Sequence, residues 1–141
     1  MTFRLLDHTA DLQIEATASS AGDALAEAGL ALTQVVTGRP PHQVKPDQEV
    51  AFRLETPDRG AAAVAFLAEL LWMLASKGVL WVGGGVAVTE GTMVVIEAKG
   101  NGVRYDPALH GRGIEVKAVT YHDLVFERTA REWRVKVTLD V

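Results

Sequence analysis

The fold prediction rests mainly on the last nine residues, 133–141, which read WRVKVTLDV. Apolar and polar residues alternate along this stretch, which is the two-residue period of a β-strand with one buried face. Asp140 falls on the polar face, one position before Val141. The stretch therefore predicts a strand that turns a carboxylate away from the core. Its apolar face carries Trp133, Val135, Val137, Leu139 and Val141.

A strand of the same kind is predicted near the start of the chain. Residues 11–16 alternate between polar and apolar types, with Asp11 on the polar side. If the two strands pair, Asp11 and Asp140 converge on one patch, where like charges repel unless a cation or proton intervenes. Two carboxylates with a main-chain or terminal oxygen would suit a hard cation such as Mg²⁺, Mn²⁺ or Ca²⁺. Two solvated surface aspartates are the alternative that spacing alone leaves open.

Two helices are predicted between these strands. Ser19 and Ser20 offer N-caps to a helix that runs to about Val36, and Asp58 can cap a second helix over 60–76. Further strands are expected at 49–55, 81–88, 93–98, 115–121 and 124–128, with a loop over 101–113. This order predicts an α+β sandwich in which two main helices pack on a mixed or antiparallel sheet, in a single domain spanning 1–141.

Composition narrows the function. The net charge is −4 and no run of Lys and Arg occurs, which argues against tight direct binding of nucleic acid. No cysteine is present, so disulfides and thiol catalysis are excluded. The start lacks a signal-peptide pattern, and the longest apolar stretch, 67–75, contains Glu69 and is too short to span a bilayer. We expect a cytoplasmic protein that does not contact membranes.

Few residues stand out as candidates for chemistry. Lys117 shares a partly apolar strand face, where it could meet a phosphate or a partner carboxylate, or simply cover apolar surface with its stem. His8, His110 and His122 lie in turns or at strand connections and are interpreted as turn or surface residues. A P-loop, a dinucleotide fingerprint and a Gly-x-Ser-x-Gly elbow are absent. The residues therefore favour a binding or activating module over a free-standing enzyme.

Five short motifs, in order along nearly the whole chain, resemble the archease family. They are LDHTAD at 6–11, FLAELL at 66–71, YDPALH at 105–110, VKAVTYH at 116–122 and LDV at 139–141. Members of this family activate the RtcB-type RNA ligase of tRNA splicing and RNA repair. Their second-helix motif usually reads Trp-Leu-Asn-Glu-Leu, whereas this chain has Phe66 and Ala68 in place of the Trp and Asn and keeps Glu69.

The resemblance implies a site and a role. It implies that Asp11, Asp140 and a main-chain or terminal oxygen of Val141 bind a divalent metal ion (Ca²⁺, Mg²⁺ or Mn²⁺), and that Lys117 belongs to the activating surface. Such a protein helps the ligase react with GTP, which guanylylates a histidine of the ligase, and supports multiple turnover. The resemblance also implies that this protein contacts GTP and RNA only through the ligase. The chain would be a protein cofactor, and none of its own histidines would be guanylylated.

Two other functions use the same residues differently. A stand-alone metal-dependent hydrolase or nuclease would need a substrate pocket, and the acidic net charge and missing general base count against it. A chaperone-like interaction module would use the aspartates only to brace the chain ends.

Overall fold

The computed structural model describes residues 1–7 and 11–141. His8, for which a turn was predicted, lies outside them. The described elements, in chain order, are β1 (Thr2–Asp7), β2 (Asp11–Ala18), α1 (Ala21–Thr37), a 3₁₀ turn (Pro41–Gln43), β3 (Gln48–Thr56), α2 (Arg59–Lys77), β4 (Val79–Glu90), β5 (Val94–Arg104), α3 (Pro107–His110), β6 (Ala118–Arg128) and β7 (Trp133–Asp140).

The described strands form two sheets that enclose the long helices. One sheet has the order β1-β2-β7-β6 and the other the order β3-β5-β4, and the neighbouring strands in both are antiparallel. Helix α1 packs against β2 and β4, and α2 packs against β6 and β3, so each helix contacts both sheets. The predicted α+β class is confirmed, with antiparallel rather than mixed sheets. Side chains buried between the layers include Ile14, Leu25, Phe66, Leu67, Trp81, Ile96, Val137 and Leu139.

The predicted caps set the ends of both long helices. The Ser20 hydroxyl accepts a hydrogen bond from the Asp23 amide at 3.1 Å, and the Asp58 carboxylate accepts one from the Ala61 amide at 2.8 Å. Each helix ends at a glycine in the left-handed region, Gly38 with φ 71° and Gly78 with φ 67°. The helices therefore begin and end within one or two residues of the predicted positions.

Helix α2 is long and apolar enough, by length and composition alone, to cross a membrane. The apolar stretch noted in the sequence, 67–75, is shorter than this helix and too short to span a bilayer. In the fold, α2 packs against both sheets and buries Phe66 and Leu67 completely. Core helices of globular proteins meet the same length and composition test.

Four elements differ from the sequence-based expectations, and one of them is α3, which forms at Pro107–His110 within the loop expected over 101–113. Strand β1 was not predicted, and β5 continues to Arg104 through residues expected to form a loop. Gly100 weakens the strand pattern there, but a Cβ on it would lie 2.4 Å from the carbonyl oxygen of Gly83. Glycine is required because the two backbones approach so closely. The segments predicted at 115–121 and 124–128 instead belong to one strand, β6, which bulges between Thr120 and Val125.

We predict that Gly22→Ala destabilises the fold through the contact between α1 and β4. A Cβ at Gly22 would lie 1.8 Å from the carbonyl oxygen of Val86, so the helix and the strand must separate. Overpacking of this kind costs about 1–3 kcal/mol, which urea denaturation can measure. Gly91→Ala is the matched control, since a Cβ at that position would have no atom within 4 Å. Equal stability of the two variants would contradict the close packing of α1 on β4.

Candidate functional site

The pairing of β2 with β7 places Asp11 directly opposite Asp140. Opposed residues of an antiparallel pair point to the same face, with Cβ atoms about 4.5–5.5 Å apart. Leu12 and Leu139, the next pair, are buried against the helices, so the two aspartates project from the opposite, outer face. The two carboxylates that the sequence pattern singled out are therefore neighbours at one end of the four-stranded sheet.

Packing against the core fixes the position of Val141 at this site. Val141 is partly buried, and its side chain packs against the hydrophobic core. Here the core contact keeps the oxygens of Val141 next to Asp140, which is itself exposed.

Lys117 lies at the same end of the sheet, but it precedes β6 and is not part of the strand predicted at 115–121. Its backbone amide donates a hydrogen bond of 2.8 Å to the carbonyl oxygen of Asp140, and Ala118 pairs with Asp140 in the register. The backbone of Lys117 is therefore fixed next to Asp140 at this end of the sheet. Lys117 lies immediately before β6 and is exposed.

The donor atoms fit a hard cation. Within residues 1–7 and 11–141, no group of three His, Cys, Asp or Glu side chains could hold a metal ion. Asp11 and Asp140 can supply two carboxylates, and Val141 can add a main-chain or terminal oxygen. Oxygen donors of this kind suit Ca²⁺, Mg²⁺ or Mn²⁺, which take six or more ligands. This chain alone would leave several coordination positions to water or to a partner.

A buried polar pair next to the carboxylates was not singled out in the sequence. Gln13 and Thr138 are opposed in the register one row further into the sheet, with 7% and 0% of their surface exposed. The Gln13 amide donates to the Thr138 hydroxyl at 3.2 Å. The alternating pattern had placed both on the polar face, where solvation is the usual expectation. Their burial braces the two strands beside Asp11 and Asp140.

Glu15 occupies the next row and is held by two arginines. Arg4 contacts its Oε1 at 2.7 Å, and Arg134 contacts its Oε2 at 2.8 Å. Burial acts to raise the pKa of Glu15, but the hydrogen bonds and charges of Arg134 and Arg4 together outweigh it and lower the pKa below 4.5. Glu15 therefore stays ionised and links β1, β2 and β7 across the outer face.

The remaining sequence candidates have structural roles. His110 is buried, stacks on Tyr105 and accepts a hydrogen bond from the Asp106 amide at 3.0 Å through Nδ1. His122 lies in the β6 bulge, with its Nε2 3.2 Å from the Asp123 carboxylate. Glu69 is partly exposed on α2. The candidates that lie together at one end of the sheet are Asp11, Asp140, Val141 and Lys117.

The fold and site define a class of small α+β proteins in which two helices lie between antiparallel sheets and two strand aspartates meet beside the chain end. A family model described as the archease protein family (MTH1598/TM1083) matches residues 3–141. The chain belongs to the archease family. It is 30% identical to the protein archease of Methanosarcina mazei over 141 residues, which cover 99% of this chain and 95% of that protein. It is 31% identical to the protein archease of Methanopyrus kandleri over 144 residues, covering all of both.

Two solved structures share the fold. The solution structure of Methanobacterium thermoautotrophicum protein 1598 superposes with a TM-score of 0.77 at 23% identity, covering 99% of this chain and 98% of that one. The crystal structure of a Thermotoga maritima protein, described as an archease and possible chaperone, superposes with a TM-score of 0.58 at 24% identity, covering 96% and 94%. At these identities the likeness supports the fold alone.

We predict that Glu15→Gln destabilises the protein by about 1–3 kcal/mol at neutral pH, because two charge-assisted contacts are lost. The lowered pKa of Glu15 means that its contribution is present above 4.5 and is lost as the pH falls through the folded-state pKa. Urea denaturation should therefore show the wild type and the variant converging in acid.

Glu27→Gln supplies a control of opposite sign. Burial raises the pKa of Glu27 above 4.5, with Asp23 adding to the effect and the amino terminus opposing it. The folded state then binds this proton more tightly than the unfolded state, so the contribution of Glu27 to stability decreases as the pH rises through the window above 4.5. Differences from wild type that do not change with pH in either variant would contradict these assignments.

Proposed function

We propose that this protein activates an RtcB-type, GTP-dependent RNA ligase by presenting a divalent cation at the end of its four-stranded sheet. The observation that best supports this proposal is that Asp11 lies directly opposite Asp140 in the register of β2 and β7. Membership of the archease family supports the same role. In this proposal the protein promotes guanylylation of the ligase and supports its repeated turnover.

The donor set explains why such a site would act on another protein. Asp11, Asp140 and Val141 offer three oxygen ligands, fewer than the six that Mg²⁺ or Ca²⁺ requires. A cation bound there would stabilise negative charge on phosphate oxygens during guanylyl transfer. The exposed position of Asp140 leaves the remaining coordination positions open to the partner.

Lys117 supplies the second contact in this proposal. Its side chain is exposed, and its backbone is tied to Asp140 by the 2.8 Å hydrogen bond. We assign its ammonium to a carboxylate of the ligase or to a phosphate of the bound nucleotide, since a compact cation can serve either. The hydrogen bond fixes the position of Lys117 relative to the carboxylates when the surface docks.

We predict that Asp140→Asn lowers cation affinity and removes stimulation of the ligase. The substitution keeps the shape of the side chain and deletes one of the two carboxylate charges. Calorimetric titration with Ca²⁺, Mg²⁺ and Mn²⁺ measures binding, and single-turnover guanylylation of a purified RtcB-type ligase measures stimulation. We expect at least a tenfold loss in each, equivalent to about 1.4 kcal/mol.

Glu97→Gln is the matched control, because Glu97 is an exposed carboxylate on the other sheet and should be dispensable. Full stimulation by folded Asp140→Asn would reject the cation role. If only unfolding variants abolished stimulation, a chaperone-like role would be favoured. Cleavage of RNA by the protein alone with Mg²⁺ or Mn²⁺ would instead favour a nuclease.

We predict that Lys117→Gln separates the two contacts. Cation affinity should stay close to that of the wild type, because Lys117 supplies no ligand oxygen from its side chain. Guanylylation should fall about tenfold or more, because a charge-assisted contact of about 1.5–3 kcal/mol is lost. Lys99→Gln, on the other sheet, controls for the loss of a lysine. Unchanged guanylylation by Lys117→Gln would remove this residue from the docking surface.

A further inference from the structure

A cluster of cations surrounds Glu15 in the middle of the outer face of the four-stranded sheet. The register places Arg4 opposite Glu15 on one side and Lys136 opposite it on the other. Arg134 lies two positions from Lys136 on β7 and contacts the second carboxylate oxygen. Three cationic side chains thus lie around one carboxylate.

The cluster carries more positive charge than its own carboxylate can neutralise. Glu15 stays ionised, because the arginines lower its pKa. The register of β6 and β7 also places Glu127 opposite Arg134 on this face. Three positive and two negative charges leave a surplus of one, on a chain whose net charge is −4. Collecting like charges is unfavourable unless an anion or solvent compensates them. The arrangement therefore has the charge needed to attract an anionic group.

The donor geometry also leaves hydrogen-bonding capacity. Both arginines contact Glu15 through Nε and Nη2, at distances between 2.7 and 3.1 Å. A guanidinium has five N–H donors, so the Nη1 atoms have capacity for a further acceptor. The side chain of Arg4 is 67% exposed, which lets an external group approach it.

A cavity beside Arg4 adds hydroxyl groups to these cations. It has a volume of about 300 Å³ and is lined by Thr2, Phe3, Arg4, Glu15 and Thr17. The hydroxyls of Thr2 and Thr17 hydrogen-bond to each other at 3.0 Å on the outer face, which leaves one hydroxyl proton to donate to a ligand. Hydroxyl donors next to guanidinium groups are typical partners of phosphate oxygens.

We propose that Arg4, Arg134 and Lys136, with the hydroxyls of Thr2 and Thr17, form a phosphate-binding subsite. It lies four residues along β2 from Asp11, or about 13 Å at the rise of a strand. One outer face then holds a cation-binding end and a phosphate-binding centre. The phosphate would come from the backbone of an RNA strand or from a nucleotide. Phosphate binding does not depend on ligase activation, although it would extend the proposed function to the RNA or GTP that the ligase holds.

The test is titration of the full ¹⁵N-labelled chain, followed by NMR. Three separate arms use inorganic phosphate, GTP and a short single-stranded oligoribonucleotide, each at constant ionic strength maintained with chloride. We expect saturable shifts at the amides of Arg4, Glu15 and Lys136 in at least one arm. Saturation with RNA alone identifies backbone phosphate, saturation with GTP alone identifies a nucleotide, and saturation in all three arms identifies phosphate itself.

Variants decide whether these side chains carry the binding. Arg4→Gln and Lys136→Gln should each weaken binding about three- to tenfold, as expected for a charge-assisted contact. When the RNA arm is repeated at several chloride concentrations, each variant should also reduce the slope of log affinity against log salt concentration by about 0.7, the value per phosphate contact of a single strand. For Arg134, the variant is Arg134→Lys. It keeps a positive charge next to Glu15, so that the protein stays folded.

Lys99→Gln is the matched control, since Lys99 is an exposed lysine on the outer face of the other sheet. No saturable shift in any arm overturns the proposal, as do shifts confined to other surfaces or an equal loss with Lys99→Gln. Asp140→Asn should retain phosphate binding. A failure of the ligase role and a failure of this subsite are therefore distinguishable.

Discussion

The structure depends on the antiparallel pairing of β2 with β7, which joins residues 11–18 to residues 133–140. These strands occupy the centre of the four-stranded sheet, and their inner faces carry Ile14, Val137 and Leu139 into the core. Closing so long a loop costs conformational entropy, which the burial of these side chains must offset. The pairing that completes the core is the same pairing that brings Asp11 to Asp140.

Core and site are coupled because side chains alternate along a strand. A slip of one residue between β2 and β7 would exchange the faces, exposing Leu139 and burying Asp140. The core thus selects the register that opposes the two carboxylates. The Gln13–Thr138 hydrogen bond and the contacts of Glu15 with its two arginines act in the same direction from the outer face. A site assembled in this way has the precision of a sheet rather than of a loop.

Local sequence patterns predicted those parts of the fold and site that local physics determines. Strict alternation located β2 and β7, and the side chains of Ser20 and Asp58 located the starts of α1 and α2. The sequence pattern does not predict β1, because the adjacent pair Leu5-Leu6 breaks the alternation of a strand that lies at the edge of the described sheet, next to β2. Alternation also placed Asp11 and Asp140 on polar faces, but their opposition depends on a register between the two ends of the chain, which no local pattern specifies. The assignment of a metal ion to them came from the family resemblance and remains a prediction.

Net charge is a poor guide to what the outer face can contact. The chain is acidic as a whole, yet this face has carboxylates at one end and three cations around Glu15 at its centre. Clustered charges act over roughly 8–10 Å at physiological ionic strength, so a ligand responds to the local arrangement and not to the total. A few phosphate contacts bind RNA only weakly, but they gain effect when another protein already holds the strand, because binding is then effectively intramolecular. An acidic protein without a basic run can in this way contribute to the handling of a nucleic acid that its partner binds.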